Sequence, residues 1–258
     1  YLPDANERLA WVSGFTGSFG SALIMTDRAA IFVDGRYTIQ AAEQTDPDLF
    51  ERVAVPDPGA FGWIAAQDFS GQRIGYDPAL MTPNDVQAFE TAAKKAGATI
   101  VAVTTNPIDA AWQDRPAQPQ APVIPHNIEH AGQSSEDKRR EIAAALSEAG
   151  ADGVVITAPA SIAWLFNIRG GDVACSPLPL ARAVLRSDAS ATLFLDPVKE
   201  TPGLRKHLGN QVTLAPLDTL DAELEALSGQ TISLDPALAS AWFFQKLDAA
   251  GATILRAQ

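Results

Sequence analysis

The sequence predicts an α/β protein made of two related domains. Short apolar runs rich in β-branched residues alternate with segments of helical pattern along most of the chain. A segment with four prolines, Asp114 to Pro125, separates two halves of similar length, as an extended linker does. Three short sequence motifs of the first half recur in the second half at a nearly constant offset. Ala10-Trp11 recurs as Ala163-Trp164, Phe32-Val33-Asp34 as Phe194-Leu195-Asp196, and Asp77-Pro78 as Asp235-Pro236. We therefore predict a duplicated fold with domains at 1–121 and 122–258.

The stretch from Leu9 to Tyr37 is the most informative part of the first half. Its two apolar runs, at 22–25 and 29–33, are separated by three polar residues, which is typical of a tight β-hairpin. The second strand should end at Asp34-Gly35, because both residues favour turns. Arg36 is then expected to project from the end of a strand, where scaffolds present functional side chains.

A well-capped helix follows later in the first half. Thr82 is a natural N-cap, Pro83 suits the first helical position, and Asp85 completes a capping box. Lysines in the last turn interact favourably with the helix dipole, and Gly97 ends the helix. The other elements predicted in this half are helices at 38–44 and 61–67 and strands at 53–55, 73–76 and 99–103.

The second half repeats this alternation. A helix capped by Ser134 or Ser135 should run to about Ala149, and a helix from Pro159 to Phe166 should lead into the polar loop 167–172. The remaining predictions are strands at 153–157, 181–185, 191–195, 212–214, 231–234 and 253–255, and helices at 202–208, 218–227 and 236–247.

Composition limits the partners that this protein can have. The formal net charge of −12 disfavours nucleic acids and anionic membranes. There is no apolar run of about 18 residues and no signal-peptide pattern. Cys175 is the only cysteine, which excludes an intrachain disulfide and suits a reducing cytoplasm, where we expect the protein. Since the sequence begins with Tyr1 rather than Met, we expect the natural amino terminus to lie upstream.

Two apparent motifs have simpler explanations. His126 to His130 matches H-x-x-E-H, but prolines before it and a glycine after it argue against a zinc-binding helix. The glycines at 14, 17 and 20 do not have the spacing of a phosphate loop, so turns and close packing explain them better. No histidine lies beside a nucleophile motif, which argues against a Ser-His-Asp hydrolase, and the 31 acidic residues leave paired carboxylates open.

Arg36 is the strongest candidate for a binding residue, with Asp34 and Tyr37 in support. An arginine fork can hold a carboxylate or carbonyl with two donors, although a solvated arginine on a simple turn would give the same pattern. Asn167, Arg169 and Asp172 are further candidates. Their alternative role is mutual hydrogen bonding that fixes a glycine-containing loop.

Four segments resemble the cytosolic-type Xaa-Pro aminopeptidases, also called aminopeptidase P, of the creatinase/prolidase superfamily. They are Trp11–Asp46 (WVSGFTGSFGSALIMTDRAAIFVDGRYTIQAAEQTD), Arg73–Thr82 (RIGYDPALMT), Trp112–Pro116 (WQDRP) and Gly150–Val173 (GADGVVITAPASIAWLFNIRGGDV). The resemblance implies two tandem creatinase/prolidase N-terminal-type domains, each a mixed β-sheet flanked by helices in a ribonuclease-H-like arrangement.

The resemblance also implies that the catalytic machinery lies outside this chain. Such enzymes carry a third, pita-bread domain that holds two divalent metal ions, usually manganese, through two Asp, one His and two Glu, and they cleave before a penultimate proline. We expect no cofactor here and a non-catalytic role in shaping and gating access for proline-containing peptides. The arginine of D-G-R-Y, here Arg36, would contact the bound peptide. The longer protein would be a homodimer through its third domain, and this chain alone a monomer.

Two alternatives stay open. The chain could be the amino-terminal region of a prolidase-like or creatinase-like hydrolase, although such proteins usually have a single amino-terminal domain and the duplication argues against them. It could also be a free-standing two-lobed module that binds a peptide or small molecule. The gene sequence downstream of this chain would separate these possibilities.

Overall fold

A computed structural model describes residues 2–57 and 59–257, so residues 1 and 258 at the limits of the predicted domains lie outside the description. The chain forms two compact units, Tyr1–Gln118 and Pro119–Gln258. The division falls inside the proline-rich segment. Each unit combines mixed β-sheet with flanking helices, which confirms the predicted fold class.

The first unit contains five helices and five strands within its described residues. The helices are α1 (Arg8–Ser13), α2 (Thr38–Gln44), α3 (Gly59–Ala65), α4 (Pro83–Lys95) and α5 (Pro107–Ala111). The strands are β1 (Gly20–Ile24), β2 (Ala29–Asp34), β3 (Phe50–Val55), β4 (Arg73–Tyr76) and β5 (Thr99–Ala102).

The strands of this unit form two separate sheets. The β1–β2 hairpin is antiparallel, as predicted, and β2 also pairs in parallel with β3. The parallel pair β4–β5 forms the second sheet. Every residue of β2 before Asp34 is buried, because apolar side chains cover both of its faces. Phe32 packs in the core beneath α3 and α4, whereas Ile31 and Val33 pack on the opposite face.

Local sequence signals fix α4 at both ends. The Thr82 hydroxyl accepts the Asp85 backbone N–H, and the Asp85 side chain returns to Thr82, so the predicted capping box is confirmed. Gly97 adopts a left-handed φ of 79° beyond the last turn. Helix α5 was not predicted, although Asn106 caps it through the Ile108 N–H and Pro107 occupies its first position.

An ion-pair cluster connects α1 to α5. Asp109 accepts Arg8 Nε at 2.7 Å and Arg8 Nη2 at 2.8 Å, and Arg115 Nη1 lies 2.9 Å from the same carboxylate. The hydrogen bonds from Arg8 are the main cause that lowers the pKa of Asp109. Trp11 and Trp112 stack beside this cluster, with ring centroids 5.6 Å apart. Ion pairing and aromatic stacking thus hold together two short helices that intrinsic helix propensity alone would not stabilise.

The second unit contains six helices and eight strands within its described residues. The helices are α6 (Ile128–Ala131), α7 (Ser135–Glu148), α8 (Pro159–Phe166), α9 (Leu204–Leu208), α10 (Leu220–Glu225) and α11 (Ala241–Ala250). The strands are β6 (Ile124–Pro125), β7 (Gly153–Ile156), β8 (Ile168–Arg169), β9 (Arg182–Arg186), β10 (Ala191–Phe194), β11 (Val212–Ala215), β12 (Thr231–Leu234) and β13 (Thr253–Arg256).

Six of these strands form one sheet in the order β11-β10-β9-β7-β12-β13. The β9–β10 hairpin is antiparallel, and β10 pairs in parallel with β11. At the centre, β7 runs antiparallel to β9 and parallel to β12. Two hydrophobic clusters cover the two faces, one around Phe166 and the other around Phe244. The short strands β6 and β8 form a separate antiparallel pair.

The two units share a topology, which explains the short sequence motifs that recur in the two halves. The β1–β2 hairpin with β3 corresponds to the β9–β10 hairpin with β11, and β4–β5 corresponds to β12–β13. Helices α1 and α8 both precede these hairpins, and each carries an exposed tryptophan, Trp11 or Trp164. Both helices end at a residue with positive φ, Gly14 at 79° and Asn167 at 48°.

Helix α11 begins later than predicted. The sequence prediction started it at Pro236, but the structure starts it at Ala241. The Asp235 carboxylate accepts the Ala237 N–H at 2.7 Å, so the chain first makes a turn that begins at Asp235. The Asp235 side chain thus competes with the helix for a backbone N–H group, and the helix begins later.

The second unit also contains a fully buried ion pair. Lys199 Nζ lies 2.8 Å from Asp172 Oδ2, and the two side chains are 4% and 0% exposed. Asp172 also accepts the backbone N–H groups of Leu180 at 2.6 Å and Ala121 at 3.3 Å. These contacts fix three separate chain segments around one carboxylate. The pair is tolerated in the core because the Asp172 carboxylate accepts three hydrogen bonds, one of them from the Lys199 ammonium.

We expect Asp109→Asn to lower the free energy of unfolding of the first unit by about 1–2 kcal/mol at neutral pH, because two charge-assisted bonds are weakened. The folded-state pKa of Asp109 is below its ordinary value of 3.8, so its stabilisation is present above that value and is lost as the pH falls through the folded pKa. Urea unfolding should show a difference in the free energy of unfolding between Asp109→Asn and the native chain at neutral pH. This difference should disappear in acid. Asp114→Asn, an exposed carboxylate nearby, is the control.

We expect Lys199→Met to destabilise the second unit by about 3–5 kcal/mol, because it leaves the Asp172 carboxylate buried without its cation. Adding Asp172→Asn should recover part of that loss, and urea unfolding measures both. Lys246→Met removes a partly exposed pair with Asp221 and should cost less than about 1 kcal/mol. Strictly additive effects of the two core substitutions would contradict this account.

Candidate functional site

The first candidate site lies at the carboxyl end of β2. Asp34 emerges there from a buried strand, and the Tyr37 N–H donates to the Asp34 carbonyl at 2.9 Å to close a turn. The Asp34 carboxylate accepts the Arg36 backbone N–H at 2.9 Å, which fixes the turn a second time. The rigid strand thereby determines where the Arg36 side chain leaves the fold.

The Arg36 guanidinium is held but remains accessible. Its Nη2 lies 2.5 Å from Asp34 Oδ2, its Nε lies 3.1 Å from both carboxylate oxygens, and its side chain is 70% exposed. The guanidinium carbon lies 5.2 Å from the Tyr37 ring centroid. Within the described residues Nη1 makes no hydrogen bond, so this edge can donate to a carboxylate or carbonyl from outside.

The ion pair keeps both groups charged. The hydrogen bond from Arg36 is the main cause that lowers the pKa of Asp34 below its ordinary value. In turn, the hydrogen bond to Asp34 raises the pKa of Arg36. The pair is exposed, so it orients the guanidinium rather than stabilising the fold.

A hydrogen-bonded loop supports this turn from the side. The Tyr37 hydroxyl lies 2.6 Å from Ser18 Oγ, and the Tyr37 ring packs edge-on against buried Phe15 at 5.8 Å. A side chain at Gly17 would place its Cβ 2.2 Å from the Phe15 ring. Gly14 has a positive φ and sits against the Gln44 carbonyl. The interpretation of these glycines as turn and packing residues is therefore confirmed.

Sequence reasoning missed the polar residues that fix this loop. The Thr16 N–H donates to Gln44 Oε1 at 3.0 Å, and Gln40 Nε2 donates to Thr16 Oγ1 at 3.1 Å. Gln40 and Gln44 lie four residues apart on α2, so they share one helix face. That spacing was the available signal, but nothing in the sequence indicated that the loop would pack against it.

The three candidates of the second unit make hydrogen bonds within that unit. Asn167 is buried; its Oδ1 accepts Lys138 Nζ at 2.7 Å, and its Nδ2 donates to the Gln133 carbonyl at 2.8 Å. The Asp172 carboxylate forms its ion pair with Lys199. Arg169 Nη1 donates to the Ile168 carbonyl at 2.8 Å and to the Ala163 carbonyl at 3.3 Å. The expected mutual hydrogen bonds are absent among the described side chains, since each candidate binds a different partner.

Lys138 is a buried cation that the sequence did not reveal. Its Nζ donates to the Trp164 carbonyl at 2.9 Å as well as to Asn167, and it lies 4.6 Å from the Trp164 ring centroid. Burial, followed by the nearby charge of Arg169, lowers the pKa of Lys138. The ammonium holds the end of α8 by binding two of its terminal acceptors.

The histidine pair does not share a helix. The His126 N–H donates to the Asn167 carbonyl at 2.7 Å in an extended segment, and α6 begins two residues later. The rings of His126 and His130 lie 5.7 Å apart. Desolvation, and then the positive charge of Arg169, lowers the pKa of His126. The zincin-type arrangement of two histidines on one helical face is therefore not formed.

Across residues 2–57 and 59–257, no three His, Cys, Asp or Glu side chains come together in a way that could hold a metal ion. The set of two Asp, one His and two Glu implied by the resemblance thus has no counterpart in this part of the chain. Within the same residues, no helix is both long and apolar enough to cross a membrane.

Comparison with known proteins agrees with the observed division into two units. Residues 2–110 match a family model described as the creatinase/prolidase N-terminal domain, and residues 114–258 match a second model with the same description. The chain is 37% identical over 231 residues to the probable Xaa-Pro aminopeptidase P of Coccidioides posadasii strain C735, covering 88% of this chain and 35% of the relative. The corresponding protein of Aspergillus niger is 36% identical, with coverage of 88% and 38%.

A solved structure has the same fold. The X-prolyl aminopeptidase of Caenorhabditis elegans, described as a cytosolic enzyme with a di-nuclear active site, aligns with a TM-score of 0.90 and 24% identity. The alignment covers 100% of this chain and 43% of the C. elegans chain. This chain spans little more than a third of the length of the two fungal relatives. The predicted resemblance is confirmed, and both halves of the chain belong to the creatinase/prolidase N-terminal domain family.

Proposed function

We propose that this chain supplies two non-catalytic amino-terminal domains of a metal-dependent Xaa-Pro aminopeptidase, acting in the cytoplasm. Its relatives with 37% and 36% identity are named as probable Xaa-Pro aminopeptidases P, and all of them extend well beyond the matched region. The described residues present no metal-binding cluster. On this proposal, the catalytic metals, with manganese as our first candidate, are held by polypeptide that this chain does not contain.

Arg36 is the residue that we propose contacts the peptide substrate. The observation that carries this role is a guanidinium that is both oriented and accessible, since Asp34 fixes one edge and leaves the other edge open. Preorientation reduces the loss of side-chain conformational entropy on binding. The planar guanidinium can bind a peptide carboxylate or carbonyl with two donors. Tyr37 supports the guanidinium through its ring.

The two domains would shape and gate access to the catalytic centre. A peptidase that removes one residue must admit a peptide terminus and exclude folded chains, and walls built on rigid sheets suit that task. The longer protein is proposed to act as a homodimer. The second-unit candidates Asn167, Arg169 and Asp172 are assigned to holding their loop, because each of them makes hydrogen bonds inside the unit.

We expect these 258 residues to release no amino acid from a peptide with proline at its second position, with or without added manganese. The physical reason is that no described side-chain cluster can bind the metal that activates water. Release is measured by mass spectrometry, with the full-length gene product as the positive control. Metal-dependent turnover by the purified chain, abolished by a chelator, would overturn the proposal.

In the full-length gene product, we expect Arg36→Lys to raise KM for such a peptide by roughly tenfold to a hundredfold, because lysine loses the second donor of the fork. The value of kcat should change little if Arg36 binds a part of the peptide away from the scissile bond. Arg28→Lys is the matched control, since Arg28 precedes the opposite end of β2. Equal kinetics for Arg36→Lys and Arg28→Lys would exclude a substrate role for Arg36.

A further inference from the structure

The outer face of the short β6–β8 ribbon presents an arginine and a histidine side by side. In the antiparallel pairing, Arg169 lies opposite Ile124. The His126 N–H donates to the Asn167 carbonyl and extends the ribbon by one step. Because side chains alternate between the two faces of a ribbon and Ile168 packs in the core, Arg169 and His126 lie on the opposite face. Ile124 on this face is 51% exposed, so the face is open to solvent.

The Arg169 guanidinium is anchored through one of its three nitrogens. Its Nη1 donates to the carbonyls of Ile168 and Ala163, which uses both hydrogens of that nitrogen. Among the described residues, Nε and Nη2 have no hydrogen-bond acceptor, and both atoms remain accessible to solvent. The Nε–Nη2 edge is therefore a fixed pair of parallel donors. That geometry binds a carboxylate or a phosphate with two hydrogen bonds.

No negative charge balances the groups around His126. The His130 ring lies 5.7 Å from the His126 ring, and Lys138 donates only to uncharged oxygens. Desolvation, and then the positive charges of Arg169, His130 and Lys138, lower the pKa of His126. In the described part of the chain, no carboxylate lies within ion-pair distance of any of these side chains. Such a cluster is a local exception in a protein with a net charge of −12.

The acidic side chains at the start of α7 already have other partners. Glu136 and Asp137 pair with Arg140 on the same helix. Glu141 accepts Gln133 Nε2 at 2.6 Å. An oxyanion from solution therefore meets a positive potential at the ribbon face, and its binding breaks no existing ion pair.

We propose that Arg169, His126 and His130 form a binding site for a small oxyanion, which is a carboxylate or a phosphate group. The Nε–Nη2 edge of Arg169 binds two of its oxygens, and the protonated His126 ring donates a third hydrogen bond. His130 and the buried Lys138 add positive charge. The site is separate from the peptide contact proposed for Arg36 and does not depend on it.

The three histidines of the chain allow a direct measurement. With only His126, His130 and His207 present, the proton–carbon NMR spectrum of the imidazoles has one ε1 signal for each, assigned by single substitutions. Sulfate keeps its charge near neutral pH and serves as the phosphate-like probe. Added at constant ionic strength in exchange for chloride, it should shift the His126 and His130 signals to saturation. The His207 signal should stay in place, because its Nε2 is already bonded to the Phe166 carbonyl.

Acetate in the same titration distinguishes the two sources of the oxyanion. Saturation by either ion supports the site, and the ion with the lower half-saturating concentration identifies the class of ligand. The bound ion should also raise the pKa of His126, because negative charge stabilises the imidazolium. Titration of the His126 signal with pH, with and without the ion, measures this change.

Substitutions at Arg169 test the guanidinium directly. Arg169→Gln should raise the half-saturating concentration about tenfold or more, because charge-assisted hydrogen bonds are lost. Arg169→Lys keeps the charge but loses the paired donors, so its effect should be intermediate. Arg205→Gln is the matched control, since Nε and Nη2 of Arg205 already bind Glu200. Binding by this control should equal that of the native chain.

A variant at the histidine covers the case in which Arg169→Gln disturbs the fold. His126→Gln keeps the backbone bond to Asn167, because that bond does not involve the side chain. It should weaken binding severalfold, as followed by the His130 signal. Urea unfolding of each variant shows whether the second unit remains folded.

Three results would overturn the proposal. The first is an equal shift of the signals by chloride at the same ionic strength, which would indicate general screening of charge. The second is the same half-saturating concentration for the native chain, Arg169→Gln and His126→Gln. The third is the loss of the response in the full-length gene product, since the face would then be covered in the longer protein.

Discussion

The fold depends on the pairing and burial of the hairpin strands β2 and β10. Each strand bonds on both edges, antiparallel to one neighbour and parallel to the other, and each is apolar on both faces. A slip by one residue would break the ladder hydrogen bonds on both edges, and in one direction it would move the charged Asp34 into the buried part of β2. The position where it ends is therefore fixed, and in the first unit that position carries Asp34 and Arg36.

This constraint explains why an exposed arginine can have a defined direction. The backbone of Asp34 is held by the sheet, and its carboxylate then holds both the N–H and the guanidinium of Arg36. The supporting loop gains its shape from a glycine that fits against Phe15. A binding group that is oriented before the ligand arrives loses less entropy on binding. The second unit uses its polar groups differently, because Lys138 donates to Asn167 and Lys199 pairs with Asp172 inside the unit.

Duplication has preserved topology while chemistry has diverged. Helices α1 and α8 both end at a residue with positive φ, but Gly14 has no side chain and its loop is held by Gln40 and Gln44 of α2, whereas the Asn167 side chain connects its loop to α7 through Lys138. The turn after β2 carries an exposed ion pair, while the carboxylate of Asp196, its counterpart after β10, accepts only the Val198 N–H among the described residues. On our proposals, the same framework therefore presents a peptide contact in one unit and an oxyanion site in the other.

The sequence by itself determined the features that depend on neighbouring residues. The fold class, the two hairpins, the capped helix α4 and the exposed turn at Arg36 all follow from periodicity, caps and turn residues, which act over a few positions. Only the tertiary structure decided what depends on distant segments. The partners of Asp172 come from residues 121, 180 and 199, which the fold brings to one carboxylate. Whether two strand edges meet or remain apart, as β1 and β4 do, is likewise a property of the assembled sheet, because local sequence specifies each strand but not the neighbour that pairs with it.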